Sequence, residues 1–495
     1  MKIVIIGGGV SGLSAGIYAQ KNGFESVIYE KNPLLGGLCS YWKRKGFLLD
    51  NCVHWLTGSS PSSDMYRIWQ DLNVITPEHK TIQHPSFLRI EEDGKQVVIW
   101  QDIERTRKEL KELSPEDSAE IDIFVDTINR YKSVVLPTIP KEMMSFFDIV
   151  KMYWKMRAVL PVHKRYTKMS INELASRFKH PLLRRLCTDY FPESYSAMTV
   201  FYTYATFCSG NGALPDGGSK GMVERMEKLY RELGGKVVAP CEVVKINIEK
   251  NRATGVTLSN DTVDDADWVI PACDTFETFS RLLPESFIDP FYKEKYDNPK
   301  KYRVTNSTNC YFGLDMKAGE LMPHNTEIFD CEADMSGIRR FHVVMKHFDY
   351  DPSFAPEGKS VLQCMLSTNE QDYDQLKALY DNDRASYKTL KTSIGHKVME
   401  ALVEKYPQMK DNLTLLDVAT PVTHNRYCNS YKGSFMGFSL TPFVEKESHN
   451  GRIKNLDNVI LSGQWVQMPG GLPIAAVTGY FAIERIRNCV KRHGK

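Results

Sequence analysis

The chain has 495 residues, 42% of them apolar and 25% charged, with 63 Lys and Arg against 61 Asp and Glu for a formal net charge of +2. That length exceeds one ordinary core and asks for two or three domains' worth of packing in a folded, not a disordered, chain. The balanced charge argues against nucleic acid as a partner, and no apolar run reaches the 18 or so residues of a membrane-spanning helix.

Ile3–Ile6 is a short β-favouring run bounded by glycine and predicts a buried parallel strand. Gly7, Gly8 and Gly9 follow, and the small apolar residues of Ser11–Gly23 predict a helix. Ser26–Tyr29 predicts a second strand, ending at Glu30. The opening residues run straight into this glycine motif, unlike a signal peptide. Residues 85–214 read as helix-rich and aromatic. Lys220–Leu233 is amphipathic at helical spacing and is closed by Gly234–Gly235, with a strand at Lys236–Val238. Cys241–Ile248, Ala253–Leu258 and Asp267–Ile270 predict three further strands. Residues 281–449 mix strands at Asn309–Leu314 and Ser360–Leu366 with a long helix around Tyr387–Glu404. Asn458–Leu461 predicts a strand, followed by a glycine-rich turn and a helix from about Pro473 to Val490.

The blocks 1–84, 215–280 and 450–495 are therefore expected to assemble into one discontinuous cofactor domain. The helix-rich insert 85–214 and a mixed-sheet substrate-binding domain 281–449 complete an α/β chain. Eleven cysteines, an odd count with no Cys-x-x-Cys, fit reduced thiols in a cytoplasm and offer no metal-ligand spacing. No metal is expected.

Gly7-x-Gly9-x-x-Gly12, between a strand and a helix, is the dinucleotide-binding turn. Gly7 permits the sharp turn, Gly9 lets backbone approach a pyrophosphate, and Gly12 lets the helix pack close. The helix start, Val10 and Ser11 included, offers free N–H groups to phosphates. Glu30 stands where an acid accepts hydrogen bonds from a ribose, which disfavours NADP. To this point the residues fit FAD or NAD equally.

Two further stretches separate them. After Glu30 and Lys31 come LLGGLCS, with Gly36, Gly37 and Leu38, and GFLLDNCVHW, with Asp50 and His54. Near the end stands NVILSGQWVQMPGGLPIAAVTGYFAIERI, with Gly463, Gly470, Gly471, Leu472, Pro473 and Ile474. These resemble the flavin-binding signature of the FAD-dependent amine oxidase and phytoene desaturase superfamily, nearest its carotenoid desaturase and retinol saturase branch. LPDGGSKGMVERM, DPSFAPEGKS and TPVTHNRYCNSYKGSFMG extend the resemblance along the chain, with 85–200 matching least. No second glycine motif with an acid behind it speaks for a separate NADPH domain.

The resemblance implies a Rossmann-like FAD-binding domain with an α+β substrate domain and a helix-rich insert. It implies FAD held without a covalent bond, because Trp465 and Gln467 occupy the region where relatives carry an attachment cysteine. It places the Val243 backbone at the adenine, while a buried strand residue explains Val243 equally. It also aims the C-terminal helix, starting near Leu472–Ile474, at the flavin ring, where its positive end favours reduced flavin. His54 is placed beside the flavin, either exchanging a proton or hydrogen-bonding the cofactor or a loop carbonyl. The branch's Asp-x-Gly-x-His pattern has Cys52 here in place of its glycine. Asp50 reads as a loop-ordering residue, and Trp465 and Met468 as either flavin walls or core.

Ser145–His163 (SFFDIVKMYWKMRAVLPVH) predicts either a buried helix of the substrate domain or an interfacial helix at a membrane. The leading expectation is a flavoenzyme that adds or removes two hydrogens across a carbon–carbon bond of a hydrophobic isoprenoid-like or lipid substrate. An unidentified electron donor or acceptor would complete the cycle. An amine oxidase and a non-enzymatic prenyl-binding protein of the GDP-dissociation-inhibitor type are the alternatives. The location expected is cytoplasmic, with a peripheral membrane contact through 145–163 under the interfacial reading.

Overall fold

The computed structural model describes residues 1–335, 337–445 and 447–493. Lys2–Ile6, four of whose five residues are buried, is central to a parallel sheet. The order is Lys236–Val238, Glu25–Tyr29, Lys2–Ile6, Trp268–Pro271. Ile3 pairs with Ser26 on one side and with Trp268 on the other. The predicted strand at Asn458–Leu461 is reduced to single bridges with Val269 and Arg452. It still extends the sheet: the Val269 N–H donates to the Asn458 carbonyl at 3.0 Å, and Ile460 N–H to Val269 at 3.1 Å.

Two helices cover one another against this sheet. Val10–Lys21 packs on the C-terminal helix Leu472–His493, and the Ser14 hydroxyl donates to the Ala476 carbonyl at 2.6 Å. A side chain at Gly479 would lie 2.5 Å from the Ser11 carbonyl, so the helices meet at backbone distance. A three-stranded antiparallel sheet, Val243–Glu249, Arg252–Leu258 and Val263–Asp265, follows in the middle block.

The second large sheet has seven strands in the order Leu413–Ala419, Asn306–Leu314, Ser360–Thr368, Ile338–His347, Thr326–Asp334, Ser86–Glu92, Lys95–Trp100. Asn306–Leu314 is buried at every position, as a strand covered on both faces must be. The last two strands come from the segment expected to be helix-rich. They enter because Arg89 and Ile90 pair in parallel with Glu327 and Ile328, more than two hundred residues on. Most of the rest of that segment is helical, and Ala197–Cys208 buries ten of its twelve residues.

The single helix expected over 145–163 is two, Phe146–Met156 and Leu160–Lys168. Pro161, which cannot donate to the preceding turn, sits in the first turn of the second. The buried reading fails here. No residue of Phe146–Met156 is buried, and Phe146 and Phe147 are 74% and 81% exposed. Ser145 and Asp148 cap its N-terminus reciprocally, so its start is closed locally, while Lys155 and Met156 at its other end tie it to Asp64 and to the core. No described helix is long and apolar enough to cross a membrane.

Candidate functional site

The glycine turn explains itself residue by residue. Gly7 has φ +100°, which a side chain resists, and its N–H donates to the Tyr29 carbonyl at 2.8 Å. A Cβ on Gly12 would lie 2.0 Å from the Gly7 carbonyl, so only glycine lets the helix begin here. Gly9 differs. Its φ is −69° and the nearest atom to a Cβ would be 3.8 Å away, so neither strain nor packing demands glycine. What its missing side chain leaves open is the cavity.

That cavity encloses about 500 Å³ and runs from this turn through the centre of the molecule. Gly7, Gly9, Val10, Ser11, Glu30, Lys31, Gly36, Gly37, Leu38, Val243, Gly463, Gly471, Leu472, Pro473 and Ile474 all line it, from four separate stretches of sequence. Gly12 lies behind the wall and acts through packing.

Glu30 is buried and accepts hydrogen bonds from the Gly8 N–H at 2.8 Å and the Asn32 N–H at 2.9 Å, one on each oxygen. The oxygen facing Asn32, Oε1, also accepts from the Asn32 side-chain amide at 2.9 Å, so the spare lone pair lies on Oε2 and suits one hydroxyl of a ribose. The Ser11 hydroxyl meets Ser462 at 2.5 Å, which leaves its backbone to face the cavity and ties the first helix to the C-terminal block. The Lys31 ammonium donates to the Arg426 carbonyl at 3.2 Å and to the Asn429 side chain. Gly36 N–H donates to the Gly8 carbonyl at 2.9 Å, laying the 36–38 loop over the glycine turn.

Opposite, the C-terminal helix begins at the wall. Ala475 N–H donates to the Gly471 carbonyl at 2.9 Å, which starts the helix, and Gly471 adopts φ +89°. The first-turn N–H groups of Leu472 and Ile474 precede any helical acceptor and point their positive end inward. Two helix N-termini, an acid with a spare lone pair and a side-chain-free wall fit a long cofactor carrying a pyrophosphate, a ribose and an electron-accepting ring.

Asp50 does not reach the cavity. It is buried and accepts from Cys52 N–H (3.0 Å), Val53 N–H (3.2 Å), Ser219 N–H (2.6 Å) and the Ser219 hydroxyl (2.6 Å). It clips the 50–54 loop to the start of the Gly218–Glu232 helix, as a loop-ordering residue should. His54, presented by that loop, lines the cavity. Burial, aided by the nearby Lys346 cation, pushes its pKa down to about 3. Lys346 is itself pulled down to about 8 by burial and donates to the Val53 carbonyl at 2.8 Å.

A polar cluster escaped the sequence reading. The Asn51 side-chain oxygen receives Asn309 Nδ2 at 3.2 Å, the Tyr311 hydroxyl at 3.0 Å and His424 Nε2 at 3.2 Å. Asn51, Asn309 and His424 line the cavity, and burial lowers the His424 pKa to about 4. Beyond His54 the walls become apolar and aromatic, with Trp55, Tyr190, Phe191, Tyr195, Met198 and Tyr202. Trp465 and Met468 also line the cavity while being buried, and the Trp465 ring meets Phe438 edge-on at 5.0 Å. Wall and core are the same residues here.

Among the described residues, one cluster has metal-ligand character: Asp189, Asp330 and His342. Arg185 holds Asp189 at 2.5 Å and Asp330 at 3.0 Å, and Arg340 holds Asp330 as well. The carboxylates are thus already matched by guanidinium charge.

The family model for flavin containing amine oxidoreductases matches residues 10–486. The chain belongs to that family. It is an FAD-dependent oxidoreductase, and the turn, the acid and the C-terminal helix start are where this flavoenzyme's residues suit the cofactor. Its sequence is 24% identical over 510 residues to 4,4′-diapolycopene oxygenase of Methylomonas sp, covering 98% of both chains. It is 23% identical over 509 residues to all-trans-retinol 13,14-reductase of Danio rerio, covering 94% of this chain and 83% of that one. Among solved structures, an oxidoreductase from Methanosarcina mazei aligns with a TM-score of 0.62 and 17% identity over 98% of this flavoenzyme and all of that chain.

Proposed function

We propose that this flavoenzyme exchanges hydride with a carbon–carbon bond of a hydrophobic polyene of the carotenoid or retinoid class. The observation that carries the reading is one continuous cavity joining the nucleotide-type turn to a chamber walled by Trp55, Tyr190, Tyr195 and Tyr202. Flat aromatic faces and methionine suit a conjugated or isoprenoid chain, which offers nothing to hydrogen-bond. Relatives named for carotenoid and retinoid chemistry support the same class.

FAD, when bound, supplies the acceptor or donor of hydride. Gly7, Gly9, Val10, Ser11, Gly12 and Gly36–Leu38 would hold its pyrophosphate region, and Glu30 with Lys31 its ribose. The Val243 backbone would hold its adenine, and Gly463 with Gly471–Ile474 its ring, without a covalent bond. The N–H groups at Leu472 and Ile474 favour negative charge at the ring edge they face. His54, held neutral at pH 7 by burial, has no imidazolium proton to give but keeps a basic nitrogen, so it would accept a proton or orient the cofactor. The proton that accompanies the hydride passes to His54 or to and from solvent. Asn51, Asn309 and His424 form a rigid polar floor beside the apolar chamber. An external carrier returns or removes the electrons, and the scattered cysteines support a cytoplasmic setting.

The test is an anaerobic titration of the purified flavoenzyme followed in the visible spectrum. A partly saturated carotenoid or retinoid that bleaches the oxidised flavin bands indicates desaturation. A polyene that restores them in dithionite-reduced enzyme indicates saturation. Bleaching by amines, with polyenes inert in both directions, would overturn the proposal.

A further inference from the structure

The helix Phe146–Met156 presents an apolar face that no described residue covers. Phe146, Phe147, Tyr153 and Trp154 are 74%, 81%, 57% and 65% exposed, and Leu160 in the next helix is 40% exposed. A soluble surface seldom spends four large side chains side by side in this way. The basic residues of the same stretch are equally uneven. Residues 141–168 carry seven Lys and Arg against two acids, in a chain whose total is only +2. Both acids are occupied locally: Asp148 caps its own helix, and Glu142 binds Arg485 at 2.6 Å. The Arg157 guanidinium lies over the Trp154 ring at 4.2 Å, a cation on the face of an exposed aromatic.

The same two helices reach the inside of the protein. Met156 closes the first helix and His163 lies in the second, and both line the central cavity together with Tyr131 and Leu136. The exposed apolar face and the far end of the cavity therefore share one element.

We infer that Phe146–Lys168 is a docking surface for a bilayer rich in anionic lipid. The first helix, about 16 Å long at 1.5 Å per residue, lies in the plane of the interface. Phe146, Phe147, Tyr153 and Trp154 enter the acyl boundary, and Lys151, Lys164, Arg165 and Lys168 stay among the phosphates. A bilayer is favoured over a protein partner because the basic rim matches an anionic sheet of charge, and because the cavity it abuts would take its substrate from lipid. The second point rests on the proposed substrate class; the first does not.

Flotation of the intact flavoenzyme with phosphatidylcholine vesicles, with and without 30 mol% phosphatidylglycerol (about one lipid in three), tests this directly and needs no turnover. Wild type is expected to float with the anionic vesicles and to lose most of that binding in high salt. The quadruple variant Phe146→Ser, Phe147→Ser, Tyr153→Ser, Trp154→Ser should bind at least tenfold more weakly while melting at the wild-type temperature, since none of the four is buried. Lys151→Glu with Lys164→Glu and Lys168→Glu should abolish the preference for anionic lipid. Equal binding by wild type and the quadruple variant would overturn the proposal. So would a wild-type dimer that the quadruple variant converts to monomer, which would assign the face to a second copy of the chain. Vesicle binding with no polyene-dependent flavin change would leave the surface standing and sink the substrate reading.

Discussion

Asp50 is the sharpest point at which to probe the site without touching it. The Asp50→Asn substitution keeps the shape and one oxygen but places an amide where the other oxygen accepts from the Ser219 N–H at 2.6 Å. Either amide orientation sets a donor against a donor, at Ser219 or at the Cys52 and Val53 N–H groups. Losing a buried hydrogen bond to a charged acceptor costs about 1.5–3 kcal/mol. Removing negative charge from the start of the Gly218–Glu232 helix adds about 0.3–1 kcal/mol. The expected destabilisation is therefore about 2–4 kcal/mol, against about 1 kcal/mol for Ser219→Ala, which leaves three of the four bonds intact. Urea unfolding of the FAD-loaded protein, followed by tryptophan and flavin fluorescence, measures both. If Asp50→Asn unfolds within about 0.5 kcal/mol of wild type, the carboxylate does not clip the loop and the ordering role assigned to it is wrong.

Glu30→Gln removes a charged acceptor and should weaken FAD by about 10- to 100-fold in a fluorescence titration; an unchanged affinity would remove Glu30 from the cofactor site. Gly471→Val, at φ +89° and facing the cavity, should release FAD while leaving the apoprotein folded by circular dichroism. Stability should fall as pH drops from about 6.5. His54, His84 and His424, lowered to about 3, 4 and 4, take protons on unfolding, while Asp274, raised to about 7 by burial, releases one. The net uptake of two protons from these groups gives a loss of about 2.7 kcal/mol per pH unit between about pH 6 and 4.5. His84→Gln, outside the cavity wall, should cut that slope by half; a slope unchanged by it would show that His84 titrates normally.

The parts of the site that were legible in the sequence are those built from local rules. The Gly7–Gly12 spacing, Glu30 at the end of the next strand and Pro473 at a helix start each follow from backbone geometry within a few residues. Asp50 was legible as a loop clip because a carboxylate in a short loop has few other uses. The Asn51 cluster was not, because Asn51, Asn309, Tyr311 and His424 come from separate stretches and converge only through the seven-stranded sheet. Ser86–Glu92 alternates buried and half-buried residues as a strand should, yet its partner lies beyond two intervening segments. For Phe146–Met156 the periodicity gave the helix but not its surroundings, since an apolar stripe looks alike whether protein or lipid is to cover it.

The connectivity of the two sheets has a consequence for synthesis. Lys2–Ile6 leaves the ribosome long before its neighbour Trp268–Pro271, which follows 265 residues later at the Ile3–Trp268 pairing. The hairpin ending at Trp100 waits similarly for Thr326–Asp334. At about 5–20 residues per second, each open edge is exposed for roughly 10 to 50 s before its partner exists. Such edges are templates for pairing with other chains. The nascent protein thus passes through a long interval in which neither sheet can close, and its yield in a cell should respond to translation speed and to holdase chaperones more than to the stability of the finished fold.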